Sequence, residues 1–383
     1  MHIDCDFKVS KMAEAENNIS KPETPEKAVR PVLFASSLTL SEYSLYLQRL
    51  LTGLADESIS AALISSDESA AQTLASPTVK VIKHPQIRLP FMSSENRKIL
   101  IEKLSKFRPT VLHCLCESCF TSVKEISKQT ELPYFVSING IVRHSSHLLL
   151  SANKLAGIIT PVETIAADVA KNIPKLEERI ELIKPGTFVS DTTASFNRPQ
   201  RTPVVCAACS VREKTDFTRF LNAIKKLAAE GHKFMTIIIG DGQDEKNLRS
   251  IMSKLGISKL INIIPRTEPW RSVLSASDIF IEPRQNKYFN LMILEALSVG
   301  CAVAGYKGGV NDLIIEDQTA RILDKSDEQS IYRCIRGFLD NPSSARELAK
   351  KAQDFIRNNH TVSKMVAETI ECYKNAQNRY NHT

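Results

Sequence analysis

The sequence predicts an α/β fold of two domains, each a parallel sheet flanked by helices, facing each other across a cleft. Length is the first observation: 383 residues exceed the ~250 at which a single hydrophobic core stops growing. Second, from Pro31 onward short apolar runs alternate with amphipathic segments, the pattern of strand–helix–strand units whose strands are buried on both faces. Third, residues 184–203 break that rhythm with Pro185, Gly186, Pro199 and Pro203 among Ser and Thr, which marks a linker.

The first series runs PVLFAS, a helical stretch from Ser41 to Ala55, SAALIS, VKVIKH, a helix from Glu95 to Phe107, TVLHCL, a helix around Ser122 to Gln129, YFVSIN, GIITP and RIELIK. Each apolar run is strand-sized and each intervening segment has helical periodicity. The second series runs PVVCAAC, helix Asp216 to Glu230, KFMTIIIG, helix Glu245 to Leu255, LINIIP, a short helix Trp270 to Ser275, DIFIEP, helix Leu291 to Val299 and AVAGY. Ser343 to Ala376 reads as two amphipathic helices. The expected division is a mobile tail over 1–29, an N-terminal domain over 30–190, a C-terminal domain over 200–365, and a helix over 366–383 suited to crossing back onto the first domain. The tail carries Pro22 and Pro25 among Glu, Lys, Asn and Ser, with too little apolar content to offset the entropy of ordering.

Composition narrows the class. With 43% hydrophobic and 24% charged residues the chain is of globular type, and no run approaches the ~20 apolar residues that span a bilayer. Met1 to Arg30 is polar where a secretory signal needs an apolar core. The expected location is the cytoplasm, with the nine cysteines reduced. A net charge of +7 fits either a solvated surface or peripheral attraction to an anionic membrane face. No nucleic acid is expected as a partner, because no basic stretch is interleaved with aromatics and no nucleic-acid module signature appears.

Two motifs carry chemistry. TIIIGDGQDEKNLRSIMSKLG is a buried strand ending in Gly240-Asp241-Gly242 and leading into a helix; glycines beyond a strand's carboxyl end let backbone approach a ligand. In DIFIEPRQNKYFNLMILEALSVGCAVAGYKGGVNDLI a strand, a loop and a helix carrying Glu295 precede Gly300 and the pair Gly308-Gly309. A carboxylate there accepts from ribose hydroxyls, and a Gly-Gly turn offers backbone N–H groups to phosphate oxygens. The plain alternatives are a solvated Glu and an ordinary turn.

With these motifs the chain resembles the retaining glycosyltransferases of family 4, the group 1 glycosyltransferases, whose two Rossmann-like domains face each other across a cleft in the architecture called GT-B. The resemblance covers the whole C-terminal half, through GDG, EP, the LEAL helix, Gly300 and GG, and is thinner in the N-terminal half, resting on strand order, His113 and Asn139-Gly140. It implies that Glu295 binds the nucleotide ribose, that Lys214 meets the diphosphate, and that Gly240, Gly242, Gly308 and Gly309 lie along the donor. It leaves the catalytic residue unassigned and implies no metal ion and no cofactor beyond a nucleotide diphosphate sugar as donor substrate.

The donor motif is degenerate. Lys287 stands where the family has the first of two Glu residues, Cys209 where it pairs an Arg with the lysine, ASSLTLSEY where it has a Gly-rich loop, and Asn139-Gly140 where it has His-Gly. Each missing charge-assisted hydrogen bond costs about 1.5 to 3 kcal/mol. Arg212 and Arg284 are candidates to replace the absent Arg, and Lys287 to meet a phosphate or an anionic sugar. The expected activity is transfer of a hexose, with retention, to a glycan or lipid-linked acceptor in polysaccharide biosynthesis. The alternative is an inactive homologue acting as a sugar-binding or partner subunit, and a third reading is an interaction scaffold with a filled or closed cleft.

Two further clusters stand apart. His113-Cys114-Leu115-Cys116-Glu117-Ser118-Cys119 reads as thiols at a strand end rather than a zinc site, since strand alternation turns His113 away from Cys114 and Cys116. The stretch with Arg88, Arg97, Lys98, Lys103, Lys106 and Arg108 near Leu89, Phe91, Ile99 and Phe107 reads as a basic surface helix or as a membrane-lying one.

Overall fold

The computed structural model describes residues 28–83, 90–142, 154–209, 217–240, 243–266 and 269–381, with side chains omitted at 90–94, 243–244 and 381. The first sheet contains β1 (Pro31–Phe34), β2 (Ala61–Ser65), β3 (Val79–Lys83), β4 (Val111–Cys114), β5 (Tyr134–Ser137), β6 (Leu155–Thr160) and β7 (Ile180–Leu182). The second contains β8 (Val204–Ala208), β9 (Met235–Ile239), β10 (Ile261–Ile264), β11 (Ile279–Glu282), β12 (Ala302–Tyr306) and β13 (Ala320–Leu323). All pairings within both sheets are parallel, in the orders β3-β2-β1-β4-β5-β6-β7 and β10-β9-β8-β11-β12-β13. In each sheet the order reverses once, between β1 and β4 and between β8 and β11, and in open α/β sheets ligands bind beyond the strand ends at such a switch point.

The helices around the first sheet are α1 (Ser37–Glu42), α2 (Ser44–Asp56), α3 (Glu68–Gln72), α4 (Pro90–Phe107), α5 (Phe120–Thr130) and α6 (Glu163–Asn172). Those of the second half are α7 (Thr218–Ala229), α8 (Gln243–Leu255), α9 (Trp270–Ser275), α10 (Leu291–Val299), α11 (Ser330–Asp340), α12 (Pro342–Asn359) and α13 (Val362–Asn381). Central strands are buried throughout, which is why they read as unbroken apolar runs. The limits of α10 follow from its ends. Asn290 caps it by accepting from the Met292 N–H, and Gly300 closes it in the left-handed region at φ 80°.

Three elements differ from expectation. The single helix expected from Ser41 to Ala55 begins earlier, because Ser36 accepts from the Thr39 N–H and starts α1; it then breaks at Tyr43, whose φ of −114° and ψ of 24° leave the helical region. β13 and α11 were not anticipated. β13 is an edge strand with a mixed burial pattern, and its four residues give no clear alternation.

The linker is pinned rather than loose. The Ser190, Ala194 and Ser195 N–H groups donate to the carbonyls of Ser298, Val299 and Gly300, and buried Asp278 accepts from the N–H groups of Phe196 and Val204 and from Arg201. α13 packs on the first domain. Its Tyr373 is fully buried, meets Phe135 and His113 edge-on at 5.6 and 5.8 Å, and bonds His113 Nδ1 at 2.6 Å.

Candidate functional site

A shallow hollow opens beyond the carboxyl ends of the second sheet at its switch point, lined by Tyr43, Arg266, Arg284, Asn286, Tyr288 and Asn290 among others. Arg266 follows β10, and its guanidinium donates to the carbonyl of Cys209 after β8. Arg284 follows β11 and donates to the Ala208 carbonyl at 3.2 Å and to Asn286 Oδ1 at 2.8 Å. Two guanidinium groups therefore border the hollow into which the N-terminus of α10 also opens, and both features favour an anion.

Glu282, at the end of β11, is fully buried beneath this surface. One oxygen accepts from Asn290 Nδ2 at 2.6 Å, while the other lies 3.5 Å from Arg284 Nε with no hydrogen bond. Burial raises its pKa, and Arg284, Asn286 and Asn290 oppose that rise. Glu282 thus orients the cap of α10 and sits under the cationic edge.

A second hollow lies on the first domain's side, lined by Tyr46, Leu47, Leu115, Asn139 and Pro185 among others. Tyr43 and Phe289 border both hollows, and the Tyr43 hydroxyl donates to the Phe289 carbonyl at 2.9 Å, joining the domains. Beside that bond, main chain closes on main chain. The Ile141 N–H donates to the Lys287 carbonyl and the Phe289 N–H to the Asn139 carbonyl, each at 2.8 Å, an antiparallel bridge that pairs Gly140 with Tyr288. A Cβ on Gly140 would overlap the Tyr288 ring, so only glycine fits.

The predicted residues fall in three groups. Lys214 and Gly242, with Arg212, lie outside the described residues. Arg284 lines the first hollow, and Lys287 is an exposed residue whose carbonyl forms the bridge. Gly308 and Gly309 are left-handed, at φ 92° and 62°, and Gly309 packs on the Asn286 backbone, which holds the loop behind the hollow. Gly240 accommodates Cys209, since a Cβ there would lie 2.5 Å from the Cys209 sulfur.

Glu295 sits elsewhere. It is fully buried, and Arg49 of α2 grips both oxygens at 2.5 and 2.9 Å, with Arg271 Nε at 2.7 Å and the Thr187 hydroxyl at 2.9 Å. Both carboxylate oxygens are thus engaged, and the ribose role expected of Glu295 requires displacement of a bonded donor. Sequence reasoning missed Arg266, Glu282 and Asn290 as site residues; the N-cap position of Asn290 directly before α10 was the one local signal.

The other two clusters resolve plainly. Among the described residues no group of three or more His, Cys, Asp or Glu side chains is placed to hold a metal ion. His113 is buried between Tyr373 and Ser137, and burial lowers its pKa to about 3. On α4 three of the cations are matched by acids: Lys98 by Glu95, Lys106 by Glu102, and Arg97 by Glu125 of α5. That pairing reduces the net positive face expected of a membrane-lying helix, and no helix among the described residues is long and apolar enough to cross a membrane.

Against known proteins, residues 190–355 match the family Glycosyl transferases group 1. The C-terminal half is a group 1 glycosyltransferase domain. The lipopolysaccharide core biosynthesis glycosyltransferase LpsE of Rhizobium meliloti is 22% identical over 172 residues, 45% of this chain and 49% of that protein. Such alignments span less than half of the relatives' own lengths. Among solved structures, a glycosyltransferase from Rickettsia africae superposes with a TM-score of 0.76 at 14% identity, covering 91% of this chain and 99% of that one. Anabaena HepE, solved in complex with UDP-glucose, gives 0.72 at 15% identity, covering 89% and 99%. At those identities the likeness is one of fold, and it is the GT-B glycosyltransferase fold.

Proposed function

We propose that this protein binds a nucleotide diphosphate sugar at the hollow beyond β8 and β11 and, as a family 4 type glycosyltransferase, transfers its hexose with retention to a glycan or lipid-linked acceptor. One observation carries the reading: Arg266 and Arg284 converge with the N-terminus of α10 on a single hollow, an arrangement suited to a diphosphate without a metal ion. Cationic groups there would stabilise the leaving nucleotide as the sugar bond breaks. The relative named for lipopolysaccharide core biosynthesis and the neighbour solved with UDP-glucose are consistent with that substrate class. A cytoplasmic site, peripheral to a membrane that carries the acceptor, belongs to the same reading.

A second reading, a sugar-nucleotide-binding or partner subunit without turnover, is favoured by the bridge between 139–141 and 287–289. It closes main chain on main chain at the two positions where the family resemblance calls for His and Glu. Calorimetric titration with uridine, guanosine and adenosine diphosphate hexoses, each followed by assay for released nucleoside diphosphate, separates the readings. Micromolar binding weakened about tenfold or more by Arg284→Ala supports the site; turnover supports the transferase and binding without turnover the subunit. No binding by any of the three donors refutes the transferase and the donor-binding subunit alike.

A further inference from the structure

The sequence Cys116-Glu117-Ser118-Cys119 places two cysteines three residues apart at the carboxyl tip of β4. Cys116 is extended and immediately precedes a 3-10 turn, Glu117–Cys119, that runs directly into α5. The turn closes with the Cys119 N–H donating to the Cys116 carbonyl at 3.1 Å. It brings the two sulfurs to 3.2 Å of each other, while Ser118 Oγ lies 3.4 Å from the Cys116 sulfur. A disulfide needs about 2 Å between sulfurs, so a further approach of about 1 Å closes the bond without moving a strand.

We propose that Cys116, 8% exposed, and the half-buried Cys119 form a reversible dithiol–disulfide couple at the carboxyl tip of β4, exchanging with a small-molecule disulfide such as glutathione disulfide. The Cys116 thiolate attacks one sulfur of that disulfide and expels a glutathione thiolate. The Cys119 thiol then loses its proton to solvent, and its sulfur attacks Cys116 and releases the second glutathione as thiolate. Both leaving thiolates are protonated from solvent. Two protein thiols are oxidised and one glutathione disulfide is reduced to two glutathiones, so electrons and atoms balance.

The surroundings assign the roles. Cys116 has its pKa lowered by the neighbouring thiols of Cys114 and Cys119, against the opposing effect of its burial. Cys119 is held higher; the bond with Cys114 pulls it down, and the bond with Cys116 together with burial outweighs that. A nucleophile beside a resolving thiol is the arrangement that exchange requires. Cys114 is fully buried with its sulfur 3.1 Å from the Cys116 carbonyl, so it lies beneath the pair as a neighbour that does not itself exchange. The pair adjoins the cleft through Leu115, whose carbonyl accepts from Asn139 Nδ2 at 3.4 Å and whose side chain lines the second hollow.

The test equilibrates the whole folded protein in glutathione redox buffers, quenches it with alkylating reagent in acid, and maps the peptides by mass spectrometry. The expected result is loss of two thiols per chain, reversed by excess reduced glutathione, with Cys116 linked to Cys119. The bond should persist in Cys114→Ser and be lost in Cys116→Ser and in Cys119→Ser, each single variant trapping glutathione on its remaining cysteine. Circular dichroism establishes that the variants fold. Failure of the native protein to form the bond in excess glutathione disulfide, or its formation in folded Cys119→Ser through another cysteine, overturns the proposal.

Discussion

Replacing Arg49 tests whether a buried ion cluster holds the two domains together. Arg49 of α2 is 6% exposed and Glu295 of α10 is 0% exposed; their two N–H···O bonds measure 2.5 and 2.9 Å, and Arg49 also donates to the Gly186 carbonyl at 3.2 Å. Breaking a buried pair by removing one partner costs about 3–5 kcal/mol, whereas replacing both by apolar groups is often close to neutral. In Arg49→Met, Glu295 keeps Arg271 Nε on one oxygen and the Thr187 hydroxyl on the other. The expected cost therefore lies at the low end, about 3 kcal/mol. Arg49→Met/Glu295→Leu should recover part of that loss, with a coupling energy of about 2 kcal/mol or more. Urea unfolding of the four proteins, followed by fluorescence of the one tryptophan, Trp270 beside Arg271, and by circular dichroism, measures the cycle. Repeating it in 1 M salt, where the screening length is about 3 Å, separates buried from exposed contributions. Additive single costs, or a coupling abolished by salt, would refute the claim that this pair is buried and mutually stabilising.

Gly140→Ala sets a Cβ into the Tyr288 ring and should cost about 1–3 kcal/mol by overpacking. Hydrogen exchange at the Ile141 and Phe289 amides should accelerate with no change at β8 or β11, and unchanged protection at both amides counts against the bridge. For His113 the sign follows from a folded pKa near 3 against about 6.5 unfolded: between those values the unfolded chain binds the extra proton, so stability falls as pH falls below 6.5. The slope from this one group is at most about 1.4 kcal/mol per pH unit. His113→Phe should flatten the dependence of the urea midpoint on pH between 4 and 6.5; an unaltered slope refutes the assignment to His113.

Much of the fold was legible because burial on both faces writes itself into sequence. β1, β4, β8, β11 and β12 are wholly buried, so each appears as a continuous apolar run, and α10 is bounded by a capping Asn and a left-handed Gly. β13 escaped because an edge strand of four residues has no such run. The site was less legible for a different reason. Arg49 and Glu295 are 246 residues apart, and Arg266 reaches Cys209 across 57. No local pattern encodes either contact, so a motif that marks Glu295 as interesting does not say which groups face it. The motif suggests a ribose ligand at Glu295, and the donors the structure sets against it are Arg49, Arg271 and Thr187 of the protein itself.

The departures from the glycosyltransferase motif are not independent of one another. Asn139 and Lys287 belong to the two segments that pair across the cleft, since Asn139 offers its carbonyl to Phe289 while Lys287 offers its own to Ile141. Their side chains are not needed for that pairing, whereas the absence of a side chain at Gly140 is. Likewise the cysteine at 209 fits against Gly240, and its carbonyl receives the Arg266 guanidinium, so the end of β8 carries a cation that reaches it from beyond β10. The replacements therefore form two coupled sets, one that rebuilds the cationic edge and one that lines the closed bridge. Positive charge at the strand ends of the second sheet thus comes from Arg266 and Arg284 while the interdomain gap beside it is held by backbone, and under the proposed function that pairing would supply the grip on a nucleotide diphosphate even where the means of using the attached sugar have changed.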